Sequence, residues 1–430
     1  MPCADALVLL LCVDQDQMLG GSFPQLGGVG PMPQTKALLE EQGAMATQFF
    51  IHTPICCPSR SELLSGKYFH NIVATRGTKA CMHANSDLVN NNTFAIPLKA
   101  AGYSVGMFGK YLNNIPNYVP PGFDAWMANG GGDYVAPSFA TWGLDGLPGM
   151  PVSNGTGAHK IPGAYHGSVH NYSTSVIGNT SIAWIKSRVA AKKPFLAYIA
   201  PKAAHEPFNP APWYVDHWDK SWPEHEPRPA NWNCSFESRK DHHGNIATEP
   251  MITAEASKVI TGVYKSRWRC LMSVDDLIAG VVKTVKQLGV YDNTYFFYSS
   301  DHGFQLGEFN IPMDKRNVYD WDTRIHMLAV GPGIAKGSTF AYPATQVDFA
   351  PTFLGLAGVA KPPMMDGHSM VPLLVKAANV GSSTQQLPRA TAAHLRSVAP
   401  AGAGAYAAKW RDAAFIEYYV SALSYLRSRP

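Results

Sequence analysis

Residues 53–67 read Thr-Pro-Ile-Cys-Cys-Pro-Ser-Arg-Ser-Glu-Leu-Leu-Ser-Gly-Lys, which sets Cys56, Pro58 and Arg60 at i, i+2 and i+4. A thiol and a guanidinium four residues apart share one face of a helix, and Pro58 suits a helix start, where its missing N–H costs nothing. The plain alternative is a buried cysteine pair ahead of a helix. Elsewhere, polar residues close or follow apolar runs: Asp14, Lys110, His205 and the pair Asp301-His302. Ligands in an open α/β sheet gather beyond the carboxyl ends of its strands, so these are positions for catalytic side chains. Carboxylates and imidazoles can hold a cation or move a proton, and lysines can neutralise an anion. Taken singly each is ordinary, because carboxylates and lysines commonly end strands.

The elements that would position them follow from the hydrophobic pattern. The apolar run at 6–13, ended by Asp14, reads as a strand buried on both faces of a parallel sheet. A short helix is expected at 35–42 and an apolar extended run at 45–51, delivering the chain to the cysteine motif. The motif should then open a helix at 59–65. Residues 94–101, Gly102 and 103–108 read as helix, cap and strand. A helix at 173–190 and a strand at 194–200 come next. The longest helical signal, at 258–288, carries Val274, Leu277, Ile278, Val281, Val282 and Val285 on one stripe, ahead of a strand at 295–299. Such alternation calls for an α/β fold with a large, mainly parallel central sheet covered by helices on both faces. Residues 111–167 and 207–250 lack periodicity and read as long irregular regions that carry function. Trp213, Trp218, Trp222 and Trp232 in the second read either as buried packing or as a substrate-stacking wall.

With 430 residues, 46% hydrophobic and 15% charged, the chain can bury a large core. A net charge of +4 with no block of like charge gives no argument for nucleic acid. The run at 6–13 is too short for a membrane span and has neither a basic residue before it nor a cleavage site after it. Seven cysteines make no disulfide scaffold, and their pairing is not readable. Asn-x-Ser/Thr sequons at Asn91, Asn154, Asn171, Asn179 and Asn233 suit a secreted or lysosomal glycoprotein.

The pattern from Cys56 through Lys67 resembles the signature of the type I, formylglycine-dependent sulfatases. Further matches extend the resemblance over roughly residues 6 to 375: Asp14-Gln15-Asp16 with Leu19-Gly20-Gly21, Gly109-Lys110-Tyr111-Leu112-Asn113, Pro201 to Pro207 with His205, Ser300-Asp301-His302-Gly303, Asp314-Lys315-Arg316 and Gly331-Pro332-Gly333. Cys-Cys-Pro-Ser-Arg and Gly-Lys-Tyr-Leu-Asn place the likeness nearest the N-acetylglucosamine-6-sulfatases and algal-type arylsulfatases. The resemblance implies an alkaline-phosphatase-like sandwich, with residues 1–375 as catalytic domain and 376–430 as the remnant of a truncated C-terminal subdomain. It implies hydrolysis of a sulfate monoester, small-molecule or carbohydrate, after a formylglycine-generating enzyme has oxidised Cys56. One hydroxyl of the hydrated aldehyde would attack sulfur, and the other would let the adduct collapse. Asp14, Asp301, His302 and the oxygen at Cys56 would hold Ca²⁺, with Mg²⁺ the second choice. Asp301 would act as base, Arg60 would bond the diol, Lys110 and Lys315 would clamp the sulfate, and His205 would bind it or protonate the leaving oxygen. The secretory pathway is the implied compartment.

The chain departs from the pattern at the first metal loop, which normally has two adjacent aspartates. In one register Val13 replaces the first; in the other Gln15 replaces the second. The histidine that many members carry two residues after the first lysine is Leu112 here, an absence the nearest subgroup shares. Rival readings are a phosphonate or phosphate monoester hydrolase of the same fold and a catalytically impaired sulfatase-like protein.

Overall fold

The first apolar run forms β1 (Leu7–Val13), with every residue buried. It lies inside a ten-stranded sheet in the computed structural model, which describes residues 6–22, 30–152, 161–375 and 387–418. The other strands of that sheet are β2 (Ala44–Ala46), β3 (Ser104–Lys110), β4 (Ala125–Asn129), β5 (Ser138–Trp142), β6 (Gly163–His166), β7 (Phe195–Ala200), β8 (Thr294–Ser300), β9 (Met327–Val330) and β10 (Ser338–Phe340). Their order across the sheet is β10-β2-β9-β8-β1-β7-β3-β4-β5-β6. The middle five, β8-β1-β7-β3-β4, are all parallel. Antiparallel pairs flank them on both sides.

Period two divides β1 between two cores. Val8, Leu10 and Cys12 face one layer, with Leu63 and Leu64 of α1 (Cys56–Ser65) and Leu98 of α2 (Ala95–Ala100). Leu7, Leu9, Leu11 and Val13 face the other layer, with Ile177 and Trp184 of α3 (Ser173–Ala190) and Val274 to Val285 of α4 (Ala254–Gln287). Helices thus cover both faces, as the alternating pattern requires. Side chains from α5 (Phe349–Leu356) join the first core, and α6 (Arg389–Val398) packs against α5.

Three local expectations need correction. Residues 111–167 are not wholly irregular: β4, β5 and β6 lie there and extend the sheet. Their short strands carry Gly and polar residues because the outer two are only half covered, so no apolar run marks them. The expected helix at 35–42 is a short α-turn, Pro33–Thr35, running into a π-helical segment, Lys36–Glu40. Helix α4 starts four residues before the expected position 258, where the Thr253 side chain accepts the Ala256 N–H and caps it. Residues 207–250 are irregular as expected, apart from short turns at Pro212–Tyr214 and Gly244–Ala247. Their tryptophans mostly pack: Trp218 and Trp222 lie against Trp268 of α4 at ring-centroid distances of 5.7 and 5.3 Å. The indole of Trp232 donates to the Leu306 carbonyl; Trp213 alone of the four is exposed.

Cys57 is disulfide-bonded to Cys81, a pairing the sequence did not reveal, while Cys56 is a free, buried cysteine. Among the described residues no helix is long and apolar enough to cross a membrane.

Candidate active site

Four strand ends and one helix start meet at a single point. Asp14 follows β1, Lys110 ends β3, Lys202 and His205 follow β7, and Asp301-His302 follow β8. Helix α1 begins at Cys56 and is buried along all ten residues. Its last turn closes on Gly66, whose φ of +66° is the left-handed conformation that a side chain resists.

Ligand atoms of Asp14, Cys56, Asp301 and His302 lie within 4.8 Å of one another, all buried. Cys56 Sγ is 3.3 Å from His302 Nε2. The other imidazole nitrogen, Nδ1, is 2.8 Å from the Gly303 carbonyl and donates to it, so Nε2 presents its lone pair to the cluster. Burial pushes the His302 pKa down, with Lys315 adding to the effect against the pull of Asp301, which keeps the ring neutral. Gly303 permits this arrangement: a Cβ there would sit 1.8 Å from the Trp321 carbonyl oxygen.

Arg60 organises the carboxylates. Its guanidinium, fully buried, donates through Nε to Asp301 Oδ2 at 2.9 Å, through Nη2 to Asp14 Oδ2 at 3.3 Å and through Nη1 to the Lys110 carbonyl at 2.8 Å. Lys110 Nζ is ion-paired with the same Asp14 oxygen. Burial opposes ionisation of Asp14, but Lys110, His205 and Arg60 together hold its carboxyl well below the usual range. Asp301 Oδ1 accepts the Gln15 N–H at 3.1 Å. Asp14 Oδ1 is buried without a partner. An orphaned carboxylate oxygen beside a second carboxylate and an imidazole lone pair is a donor set that fits a divalent cation.

The sequence left the first metal loop in two registers. Val13 lies in the apolar layer with Leu11, turned to the opposite face from Asp14. Gln15 takes φ +60°, and its side-chain oxygen accepts from Arg267 at 3.3 Å. Asp16 is turned away into a bond network with Ser22 and Tyr298.

Lys315 is 6% exposed and, among the described residues, makes no hydrogen bond or ion pair. Its charge helps to hold the His302 pKa down. His205 is half-buried, its Nδ1 2.9 Å from the Glu206 carbonyl. Of the site residues read from the sequence, Asp14, Cys56, Arg60, Lys110, Asp301 and His302 are joined by these contacts, while His205 and Lys315 act on Asp14 and His302 through their charge. One was missed. Lys202, 8% exposed, donates to the Gly132 carbonyl and lies over the Tyr134 ring at 4.8 Å. Its pKa is lowered by burial, and the charges of Asp14 and Lys110 reach it. Its place two residues beyond β7 does not by itself set it apart from a solvent-facing lysine. Gly109, ahead of Lys110, has φ +110°, and a Cβ there would be 2.1 Å from the Ala200 carbonyl of β7, so β3 can end this close only with glycine.

The sequence model of the sulfatase family matches residues 8–359. Human N-acetylglucosamine-6-sulfatase is 32% identical over 382 residues, covering 87% of this chain and 65% of that protein. Volvox carteri arylsulfatase is 31% identical over 387 residues, covering 82% of this chain and 55% of that protein. The chain spans less than two thirds of the length of these relatives. A solved structure of a protein in complex with its substrate D-glucosamine-2-N,6-O-disulfate matches at TM-score 0.67 and 22% identity, covering 97% of this chain and 84% of that one. Phosphonate monoester hydrolase from Silicibacter pomeroyi matches at TM-score 0.62 and 20% identity, covering 88% and 78%. At such identities the likeness is one of fold, and that fold is the alkaline-phosphatase-like sandwich expected from the sequence.

Proposed function

The chain belongs to the sulfatase family, and from that premise we propose that it hydrolyses a sulfate monoester at the cluster built on Cys56. The observation that carries this reading is the convergence of Asp14, Cys56, Asp301 and His302 at the start of α1, with buried lysines around them. The relative with a sulfated glucosamine bound supports a carbohydrate sulfate as the substrate class.

Cys56, oxidised by a formylglycine-generating enzyme and hydrated, supplies a geminal diol whose hydroxyl can attack sulfur. Asp14, Asp301, His302 and the oxygen at position 56 would hold a divalent cation, Ca²⁺ first and Mg²⁺ second, whose chemistry is to neutralise the sulfate and acidify the attacking hydroxyl. Within that frame the chain's own groups divide the work. Arg60 is a positioning residue: its three bonds fix Asp14, Asp301 and the end of β3 relative to one another. Asp301 takes the proton of the attacking hydroxyl. Lys315, with its ammonium unengaged, and Lys110 face the sulfate oxygens and stabilise charge that builds there. The amides of the first turn of α1 add to that field, since a helix start favours an anion. His205 protonates the leaving oxygen or binds the sulfate.

Relatives named as extracellular sulfatases, together with exposed sequon residues such as Asn91 and Asn179, support the secretory pathway; Asn154 lies outside the described residues. The test is to measure nitrophenyl sulfate and nitrophenyl phosphonate turnover on one preparation, with the peptide across Cys56 checked by mass spectrometry. Formylglycine at position 56 and preference for the sulfate support the reading. Preference for the phosphonate would reassign the substrate. No turnover by metal-loaded, fully converted protein would make it a sulfatase-like binding protein.

A further inference from the structure

A second group of metal-ligating side chains lies apart from the one already described. His52, His70 and Glu417 place one ligand atom each within 4.8 Å of one another. Glu417 Oε1 is 2.9 Å from His70 Nδ1 and 3.5 Å from His52 Nδ1. Glu62, on the helix that starts at Cys56, places its Oε1 2.8 Å from that same His52 nitrogen. His52 and Glu62 are fully buried, while His70 is half-exposed and Glu417 partly so. Three segments distant in sequence thus converge: the stretch leading into α1, the turn after it, and the end of the described chain. The backbone joins in, for the Glu417 N–H donates to the His52 carbonyl at 2.9 Å.

The polar bonding here is incomplete as it stands. A single N–H on His52 Nδ1 cannot serve Glu62 and Glu417 together, and His52 Nε2 and Glu62 Oε2 are buried without partners. Glu62 also accepts the Thr53 hydroxyl and Glu417 the His70 N–H, but both carboxylates crowd the same His52 nitrogen, and a cation would balance that charge. We propose that His52, His70 and Glu417 bind a borderline divalent cation of the Zn²⁺ type, with Glu62 as a further buried negative charge beside it. Two imidazoles and a carboxylate suit Zn²⁺, whereas Ca²⁺ and Mg²⁺ prefer oxygen alone, so the two sites select different ions. The exposed edges of His70 and Glu417 give the ion its entry path and leave room for water to complete the shell. Bound there, the ion would pin the C-terminal segment to the stretch that delivers Cys56.

The test is equilibrium dialysis of the full chain against Zn²⁺ in saturating Ca²⁺, alongside the double variant His70→Ala, Glu417→Gln. Both positions are partly exposed, so the variant should fold, and its circular dichroism and its nitrophenyl sulfate turnover check this. Wild type should retain one Zn²⁺ equivalent more than the variant, with affinity for that equivalent falling at least about tenfold in either single variant. Co²⁺ should give a tetrahedral visible spectrum in wild type that the double variant lacks. Equal Zn²⁺ retention in the two proteins, or identical Co²⁺ spectra, would overturn the proposal and leave the cluster as a proton-linked contact.

Discussion

Lys110 and Lys315 are both buried, but only Lys110 already has a partner. Its ammonium is paired with Asp14, and although burial works against the charge, Asp14 and Cys56 raise its pKa. Removing it strips a cation from a fully buried carboxylate. Lys315 is unpaired, so removing it costs the folded protein little. Both Lys110→Ala and Lys315→Ala should lower kcat/KM for an aryl sulfate by about 10²-fold, the scale for one preorganised electrostatic group. Only Lys110→Ala should also lower Tm and shift the Ca²⁺ titration. A matching Tm loss in Lys315→Ala would show that it is a structural cation instead. The adjacent cysteines separate in the same way. Cys56→Ala should abolish turnover. Cys57→Ala opens the disulfide to Cys81, with 24 residues of sequence separation, and should cost about 3 kcal/mol of stability. Because Cys56, Pro58 and Arg60 are untouched, position 56 should still convert to formylglycine in Cys57→Ala, as read by mass spectrometry. Loss of conversion in that variant would make the disulfide part of the recognition signal.

At the scale of elements, the sheet's centre was legible because its strands are buried on both faces and so read as unbroken apolar runs: β1, β3, β7 and β8 each announce themselves. Their polar ends were legible for the same reason, since a run that stops at Asp14 or Asp301 marks its own carboxyl end. The half-covered strands β5 and β6 were not, nor was Lys202, because nothing in spacing alone tells a buried lysine from a solvent-facing one. The first metal loop shows what the strand period adds. Val13 shares its face of β1 with Leu7, Leu9 and Leu11, against α3 and α4. A carboxylate there enters an apolar layer with no cation, at a cost on the order of 3 kcal/mol. Val13→Asp should therefore lower Tm and leave the Ca²⁺ requirement unimproved. Gln15→Asp puts the added charge where buried Arg267 now meets only neutral oxygens, those of Gln15, Gln17 and Ala204. That substitution should be tolerated and should reduce the Ca²⁺ concentration for half-maximal activity. Tighter ion binding by Val13→Asp at unchanged Tm would reverse the assignment.

For the molecule as a whole, the site depends on how the last described residues are tied to the sheet. Asp348, fully buried, closes the turn Gln346–Asp348 that leads into α5 and accepts from the amides of Thr345 and His368. Arg411 grips the same carboxylate with both terminal nitrogens, at 2.6 and 2.7 Å. Trp410 beside it donates to the Pro343 carbonyl at 2.8 Å. Two residues before Asp348, Gln346 donates to the Ser300 carbonyl and accepts from Ser59 of α1. One short turn therefore joins the C-terminal segment to the loop carrying Asp301. Arg411→Ala leaves Asp348 buried with amide donors but no cation, which should cost about 3 kcal/mol. Tm should fall by several degrees, and proteolysis should release the segment beyond residue 387 faster than in wild type. Arg411→Lys keeps the charge without the two-point geometry and should recover part of that loss. Assayed well below the new Tm, Arg411→Ala should keep kcat within a few-fold, because the Thr345 and His368 amides still hold the turn. A wild-type Tm in Arg411→Ala would mean the segment is not clamped there, whereas a kcat loss as large as that of Lys110→Ala would put the turn itself in the catalytic geometry.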